Sequence, residues 1–216
     1  ILSKDKIISI DGEDDNIVIE VITKYSKYFK RELLPEYSKI AFPISFSFPS
    51  HFSNIKNHNI SEKTNILAPM DPRFSNSYIF DEESYFKQYA DSLFGTTTKK
   101  NGWDCLRHYE IIASGCLPYF PDINEKPKTI MENYPVLLQN KVNQLFEKII
   151  LSSENIDSLK TISSKTRTNT LKKATKKLSK LNIISNNLKT LEIYNRDFQE
   201  WFENHGKSSI YRNLLN

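Results

Sequence analysis

Charged and aromatic side chains stand close together in the segment KKNGWDCLRHYEIIASGCLPYF, which spans residues 99–120. Lys99 and Lys100 lead a loop that contains a glycine, and Arg107 and Glu110 follow three residues apart, a spacing that puts both on one side of a helix. Ammonium and guanidinium groups bind phosphate oxygens, whereas a carboxylate accepts hydrogen bonds from hydroxyl groups. The segment therefore predicts a site for a ligand that carries both phosphate and hydroxyl groups.

A helix from Trp103 to Ser114 would separate two faces. Trp103, Arg107, Glu110 and Ser114 share one face, because they follow each other at steps of four, three and four residues. The apolar residues of the other face are expected to lie against a sheet: Leu106, Tyr109, Ile112, Ala113 and Cys116.

The glycines of this segment have predicted roles. Three of the five glycines in the chain fall within residues 95–116. We expect Gly102 to let a ligand approach the backbone, and Gly115 to end the helix as a C-cap.

The loop that contains Thr98, Lys99 and Lys100 connects the strand-like run LFGTTT to this helix. Open α/β sheets bind ligands at the carboxyl ends of their strands, where helix N-termini offer free N–H groups. We therefore expect the loop to hold an anion such as a diphosphate. Glu110, about two turns into the helix, could then accept hydrogen bonds from both hydroxyls of a ribose.

Simpler interpretations stay open for the same residues. Arg107 and Glu110 could form only a surface ion pair. Asp104 and His108, four residues apart, are predicted to be a pair on the helix surface rather than an acid–base couple. The two cysteines, Cys105 and Cys116, are predicted to be small core residues.

A second group of acids follows the strand-like run KIISI, in the turn DGEDD. Asp11 or Glu13 could act as a general base for an acceptor hydroxyl if the turn faces a cleft. The alternative is a solvated acidic turn, which is the commoner outcome. The turn resembles a metal-binding DxD motif, but no second ligand is evident, and we expect no metal.

Lys30 and Arg31, in the run YFKREL, are the basic residues of the amino-terminal part. They could neutralise a phosphate from across a cleft. They could equally pair with Glu32 and Glu36.

Strand-like and helix-like runs alternate over residues 65–150, which predicts a parallel α/β sheet of the Rossmann-like type. The predicted helices cover residues 81–92, the segment up to Gly115, and a segment that begins after Pro135. We expect residues 1–49 to be the tail of an amino-terminal α/β domain, 50–64 to be a polar linker, and 151–216 to be carboxyl-terminal helices, of which the last, beginning at Leu191, ends at Gly206.

Composition excludes several classes of protein. A hydrophobic fraction of 38% is too high for a disordered chain, and no apolar run reaches the eighteen residues of a membrane span. The net charge of +4 rests on lysine, and without a recognised module or interleaved aromatics we expect no nucleic-acid partner. Two cysteines are typical of a cytoplasmic protein. The start ILSKDK lacks an initiator Met, so we expect the chain to begin inside a longer protein.

One helix face could contact a membrane. Lysines cover one side of residues 172–180 and could rest on anionic lipid, although a solvated face is the commoner outcome.

The run SLFGTTTKKNGWDCLRHYEIIASGCLPYFPDI resembles the nucleotide-binding half of GT-B-type glycosyltransferases. Many of these enzymes carry an Arg, aromatic, Glu, small, Gly, Pro pattern beside the donor sugar nucleotide. The order of the glycine, cysteine and proline is similar to the exostosin-type arrangement, and GWDCLRHYEI is similar to glycosyltransferase-like proteins of microbes and large viruses. The resemblance covers residues 78–122 and, more weakly, residues 6–48. The residues that fit the pattern are Arg107, Tyr109, Glu110, Ala113, Gly115 and Pro118.

The resemblance implies a transferase that moves a sugar from a nucleotide-diphosphate sugar to a hydroxyl on a glycan or lipid-linked acceptor. It implies that Glu110 binds the ribose and that Lys99, Lys100 and Arg107 bind the diphosphate, with no cofactor. Gly102 stands where the first glutamate of a Glu-x7-Glu pair would be, so both inversion and retention stay open. The alternative is a non-catalytic nucleotide-sugar-binding or accessory domain of a larger protein. A further alternative is an interaction protein that uses the lysine face.

Overall fold

The computed structural model describes residues 3–48, 59–74, 77, 81–151 and 183–206. In this part of the chain the fold is α/β, and it contains two parallel sheets of three strands each, which confirms the predicted class. The helices and strands are, in chain order, β1 (Ile8–Asp11), α1 (Glu20–Thr23), β2 (Lys27–Lys30), β3 (Phe42–Pro43), β4 (Asn65–Leu67), α2 (Glu82–Ala90), β5 (Ser92–Thr96), α3 (Leu106–Ala113), β6 (Leu117–Tyr119), α4 (Val136–Leu151) and α5 (Ile183–Trp201).

The first sheet has the order β1-β2-β3, and its two faces differ. Asp11 pairs in register with Lys30, so both side chains point to the face that also carries Tyr28. This face packs against the segment around α1, where Val18 and Ile22 contribute to a small apolar cluster with Tyr28. The sheet therefore directs Asp11 and Lys30 toward the acidic turn that follows β1.

The opposite face of the first sheet carries exposed apolar side chains. Ile10 pairs with Phe29, and Phe29 pairs with Phe42, so the three share this face. Ile10 is 58% exposed and Phe42 is 50% exposed. Parallel sheets are usually covered on both faces. Among the described residues, this face stays open to solvent at Ile10 and Phe42, whereas Phe29 between them is buried.

The second sheet, β4-β5-β6, lies between two layers of helices. Gly95 faces α2 and α3, where its Cα lies close to the side chains of Tyr89 and Ile111. Phe94, on the other face of the same strand, packs edge-to-face against Phe146 of α4 with ring centroids 5.1 Å apart. This layered arrangement is the parallel sheet that the alternating pattern predicted.

Helix α3 begins later than the sequence predicts. It starts at Leu106 rather than at Trp103, because Cys105 has an extended backbone and acts as the N-cap residue. The predicted apolar face is wrong at Leu106, which is 40% exposed. Gly115 ends the helix with a φ of 65°, as predicted for a C-cap.

Helices α4 and α5 form the carboxyl-terminal layer. Helix α4 begins directly after Pro135, as predicted, and buries Val142 and Ile149. Helix α5 begins at Ile183, earlier than the predicted last helix, and continues into a wider turn (Phe202–Gly206). No described helix has the length and apolar character that a membrane crossing requires. The lysine face at 172–180 and residues 50–58 of the predicted linker lie outside the described residues.

The carboxyl ends of the two sheets adjoin. Arg31 and Glu32 directly follow β2, and both bind the segment Gly102–Asp104 in the loop between β5 and α3. After β3 the chain continues into the core of the second sheet, where Phe48 is buried. Ile60, in the predicted linker, belongs to the same core. The loops at the carboxyl ends of both sheets therefore meet in one region.

Gly95 tests the close contact between β5 and its helices. A Cβ at this position would lie 2.9 Å from a ring carbon of Tyr89 and 3.2 Å from Ile111, so we expect Gly95→Ala to lower the free energy of unfolding by about 1–3 kcal/mol. Urea denaturation measures this change. Gly12→Ala is the control, because a Cβ at Gly12 has no atom within 4 Å. Equal stability of the two variants would contradict the packing of β5.

Candidate functional site

Lys30 and the acidic turn form a compact group at the carboxyl end of the first sheet. The Lys30 ammonium is fully buried and lies 3.0 Å from Asp11 Oδ1 and 2.9 Å from Asp15 Oδ1. Tyr28 donates its hydroxyl proton to Asp11, and the amide of Glu13 donates to Asp11 at 3.0 Å. The structure thus brings together Lys30 and Asp11, two of the residues that the sequence singled out.

The surroundings of Asp11 favour its charged form. Burial opposes ionisation, but the hydrogen bonds from Tyr28, the Glu13 amide and Lys30 outweigh it and hold the pKa of Asp11 below its usual value. The same burial and the bond to Asp11 raise the pKa of Tyr28 to about 12. A carboxylate with a lowered pKa is a weak base, so this geometry makes Asp11 a poor acceptor for a substrate proton.

Arg31 links three parts of the chain. Its side chain is almost completely buried, and it donates to the carbonyl of Gly12 at 2.9 Å, to the carboxylate of Asp14 and to the carbonyl of Asp104. The guanidinium also lies over the ring of Phe46, 4.3 Å from its centroid. All three nitrogens and one face of this guanidinium are therefore engaged by the protein itself, which fixes the acidic turn against the β5–α3 loop.

Glu32 completes the junction. Its carboxylate, 1% exposed, accepts hydrogen bonds from the amides of Trp103 at 3.0 Å and Asp104 at 2.9 Å. Arg31 lies 3.7 Å away and offsets its charge. A Cβ on Gly102 would lie 2.7 Å from Glu32 Oε1, so a larger residue there would displace this carboxylate. The sequence predicted a ligand beside Gly102; the neighbour in this structure is Glu32.

The prediction that Asp104 and His108 form a surface pair is wrong, because both side chains are completely buried. Asp104 Oδ2 accepts from the amide of Phe46 at 2.7 Å, and Oδ1 accepts from the hydroxyl of Tyr109 at 3.1 Å. Burial nevertheless raises the pKa of Asp104 to about 6. The helical spacing was misleading because Asp104 lies before the helix, where its carboxylate can turn inward.

His108 is held as a neutral imidazole. Its Nε2 lies 2.7 Å from the carbonyl of Trp103, which can only accept, so Nε2 donates there. Nδ1 then accepts from the hydroxyl of Thr97 at 2.8 Å. Burial lowers the pKa of His108 and disfavours the imidazolium. His108 therefore ties the end of β5 to the loop that precedes α3.

Cys105 lies near His108 but is not an activated nucleophile. Its Sγ is 3.4 Å from Nε2, the nitrogen that already donates to Trp103. Burial raises the pKa of the Cys105 thiol to about 11, and the thiolate is the reactive form. This pair therefore lacks the chemistry of a cysteine–histidine couple.

The predicted anion-binding loop already holds a carboxylate of the same chain. Asp122, which follows β6, accepts from the hydroxyl of Thr98 at 2.7 Å and from the amide of Lys99 at 3.1 Å. The Lys99 ammonium lies 5.3 Å from the centre of the Trp103 ring, and Lys100 is exposed. The loop thus presents a hydroxyl and an amide that bind a carboxylate at the carboxyl end of the second sheet. That it binds the anion of a ligand stays a prediction.

Glu110 lies on the side of α3 that faces α2. It is half-buried, and its Oε2 accepts from the hydroxyl of Tyr85 at 2.6 Å. Burial raises the pKa of Tyr85, with the charge of Glu110 adding to the shift. Because Tyr85 belongs to the first turn of α2, the Glu110 carboxylate lies toward the end of α2 that follows the β4 loop.

The predicted row of Trp103, Arg107 and Glu110 on one helix face does not form. Trp103 precedes the helix and is buried, with its ring centroid 6.4 Å from that of Phe120. Ser114, the last member of the row, is also buried and donates to the Glu110 carbonyl at 2.8 Å. Arg107 and Glu110 stay on α3, and both are half-buried.

Sequence reasoning missed Glu32, Asp122 and Tyr85 as parts of this region. Glu32 and Asp122 carried one usable signal, since each follows a strand whose carboxyl end faces the loops. No local pattern could identify their partners, because Glu32 binds amides 71 and 72 residues away. Among the described residues, no group of three or more His, Cys, Asp or Glu side chains could hold a metal ion.

The chain matches no protein-family model, no curated protein and no solved structure. The resemblance of residues 78–122 to glycosyltransferases therefore rests on the sequence motif alone.

The buried carboxyl of Asp104 predicts a dependence of stability on pH. A pKa of about 6 in the folded chain, against 3.8 for the ordinary group, means that its stabilising contribution is complete below pH 3.8 and is lost as pH rises through 6. Because Asn does not ionise, we expect the free energy of unfolding of Asp104→Asn, relative to that of the wild type, to increase as the pH rises from 4 to 7. The increase should be up to about 3 kcal/mol.

Urea denaturation at several pH values checks this difference. Asp197→Asn, at a half-exposed position on α5 where the side chain pairs with Arg196, is the control for a loss of charge. A difference between Asp104→Asn and the wild type that stays constant from pH 4 to pH 7 would contradict the burial of this carboxyl.

Proposed function

We propose that the chain is the nucleotide-sugar-binding part of a glycosyltransferase, which transfers a sugar from a nucleotide-diphosphate donor to a hydroxyl acceptor. The observation that supports this most is the meeting of the carboxyl ends of two parallel sheets at one loop cluster. Ligands of open α/β sheets bind at such ends. A two-substrate transferase needs a donor site on one side of this junction and an acceptor site on the other.

The proposed donor site lies on the second sheet. The Glu110 carboxylate is half-buried and held by Tyr85, which supports its proposed role as the acceptor for the two ribose hydroxyls. Lys99, Lys100 and Arg107 supply positive charge for the diphosphate. Because charge develops on the diphosphate as it leaves, cations fixed beside it would accelerate the transfer.

The acidic turn supplies the proposed general base. Asp11 and Asp15 pair with Lys30, and Asp14 pairs with Arg31. Glu13 is exposed and, among the described residues, makes no ion pair. Of the two acids that the sequence proposed for catalysis, Glu13 is thus the one that an acceptor hydroxyl could reach.

A second candidate is a domain that binds a nucleotide sugar without transferring it. Of the two roles left open for Lys30 and Arg31, neutralising a phosphate from across the cleft is the less favoured, because both are buried in contacts with the chain's own carboxylates. Stabilisation of the leaving group would then come from the second sheet alone. A transfer assay separates the candidates, since binding without release of the sugar favours this second one.

Donor binding is tested by melting the chain in the presence of UDP, GDP, dTDP and CMP sugars. A ligand at about 100 times its Kd should raise Tm by roughly 5 °C or more for a chain of this size. We expect at least one diphosphate sugar to do so, and Glu110→Ala to abolish the shift because the ribose hydroxyls lose their acceptor.

Tyr85→Phe, which removes only the hydroxyl that holds Glu110, should reduce the shift without abolishing it. Glu83→Ala, at an exposed acid of α2, should leave the shift unchanged. If no nucleotide sugar raises Tm of the wild type, the donor site is refuted.

A further inference from the structure

The position of Asp122 is unusual for an aspartate at the start of a helical turn. Asp122 is the N-cap residue of the short turn Ile123–Glu125, yet its side chain makes no capping hydrogen bond. Aspartate normally binds the free amides of the turn that it precedes. Here the carboxylate turns away and binds Thr98 and Lys99 in the loop after β5. Capping therefore does not explain this conformation.

The contact leaves one carboxylate oxygen without a donor. Both hydrogen bonds go to Oδ2, and Oδ1 is shielded from solvent with no hydrogen-bond partner among the described residues. The cost of this unpaired acceptor offsets part of the gain from the two charged hydrogen bonds. Releasing Asp122 from the loop therefore needs less free energy than the two bonds alone would require, and water can then reach both oxygens.

The donors that Asp122 occupies are those of an anion site. A hydroxyl and a backbone amide point at one position, and the exposed side chain of Lys99 begins beside it. The hydrogen bond to Asp71 is the main cause of the raised pKa of Arg73, which lies in the loop after β4. The charge of Asp122 is a further cause, so the Arg73 guanidinium lies near Asp122. If Asp122 left, these donors would face a position near Arg73, which stays paired with Asp71.

We propose that Asp122 is an internal competitor for the phosphate position of the β5–α3 loop, and that an anionic ligand binds by displacing it. The ligand class is a diphosphate or another phosphate anion, since a compact anion with several acceptor oxygens can satisfy the Thr98 hydroxyl and the Lys99 amide together. That the natural ligand is a nucleotide-diphosphate sugar rests on the proposed function. The displacement itself does not require it.

A competitor and a group that only shapes the loop predict opposite changes in ligand affinity when they are removed. Removing a group that only shapes the loop weakens binding, whereas removing a competitor strengthens it, because a larger fraction of the protein is ready to bind. If the open state makes up between about a thirtieth and a third of the wild type, Asp122→Ala should tighten binding by about three- to thirtyfold. Asp122→Asn keeps an acceptor oxygen for Thr98 and Lys99 but loses the charge, so its affinity should lie between those of Asp122→Ala and the wild type.

Isothermal titration of the 216-residue chain with inorganic pyrophosphate and with UDP measures these affinities. Asp197→Asn on α5 changes the net charge as Asp122→Asn does, at a half-exposed position outside this loop, and should leave both affinities unchanged. Circular dichroism melting of each variant establishes that it is folded. Should Asp122→Ala not fold, Asp122→Asn still shows whether loss of the carboxylate strengthens or weakens binding.

The outcomes separate this proposal from the proposed function. Tighter binding of pyrophosphate by the Asp122 variants supports the competitor, even if no sugar nucleotide binds and the glycosyltransferase proposal fails. Unchanged or weaker binding by folded Asp122 variants overturns the competitor, even if the wild type binds UDP. Absence of binding by the wild type and all variants overturns both.

Discussion

A buried carboxylate, that of Glu32, determines how the two sheets of this chain meet. It is almost fully removed from solvent and accepts hydrogen bonds from two backbone amides of the β5–α3 loop, while Arg31 lies 3.7 Å away. Leaving such a charge unpaired costs several kcal/mol, so the loop has little freedom to move away. Because these amides are bound ahead of Cys105, helix α3 starts only at Leu106. The direction of Glu110 on that helix follows from this start.

Acids and bases at the junction largely neutralise one another. Lys30 and Arg31 contact the carboxylates of the acidic turn, and Asp122 binds the loop that was predicted to hold an anion. Buried groups must find partners within the chain when no ligand is bound, and short loops at adjoining sheet ends bring those partners within reach. Lys99 and Lys100, which are exposed, add positive charge to the outer side of this loop.

Local pattern was sufficient for the second sheet and its helices. The strands β4, β5 and β6 were recognisable as apolar runs between turn signals, α2 by its acidic first turn, and the end of α3 by Gly115. The first sheet was harder, because β2 lies in the run KYFKREL, whose buried Lys30 and Arg31 resemble surface residues. Helical spacing also placed Trp103, Asp104 and His108 on a solvent face. Their burial depends on Glu32 and Phe46, which are distant in sequence, and a spacing rule contains no information about such partners.

The contact between Glu32 and the β5–α3 loop can be measured directly by amide hydrogen exchange followed by NMR. Both amides are bonded to a buried carboxylate, so Trp103 and Asp104 should exchange as slowly as the amides of β5, through an opening that approaches global unfolding. Exchange at these two positions as fast as in an exposed loop, while β5 stays protected, would show that the sheets do not meet through Glu32.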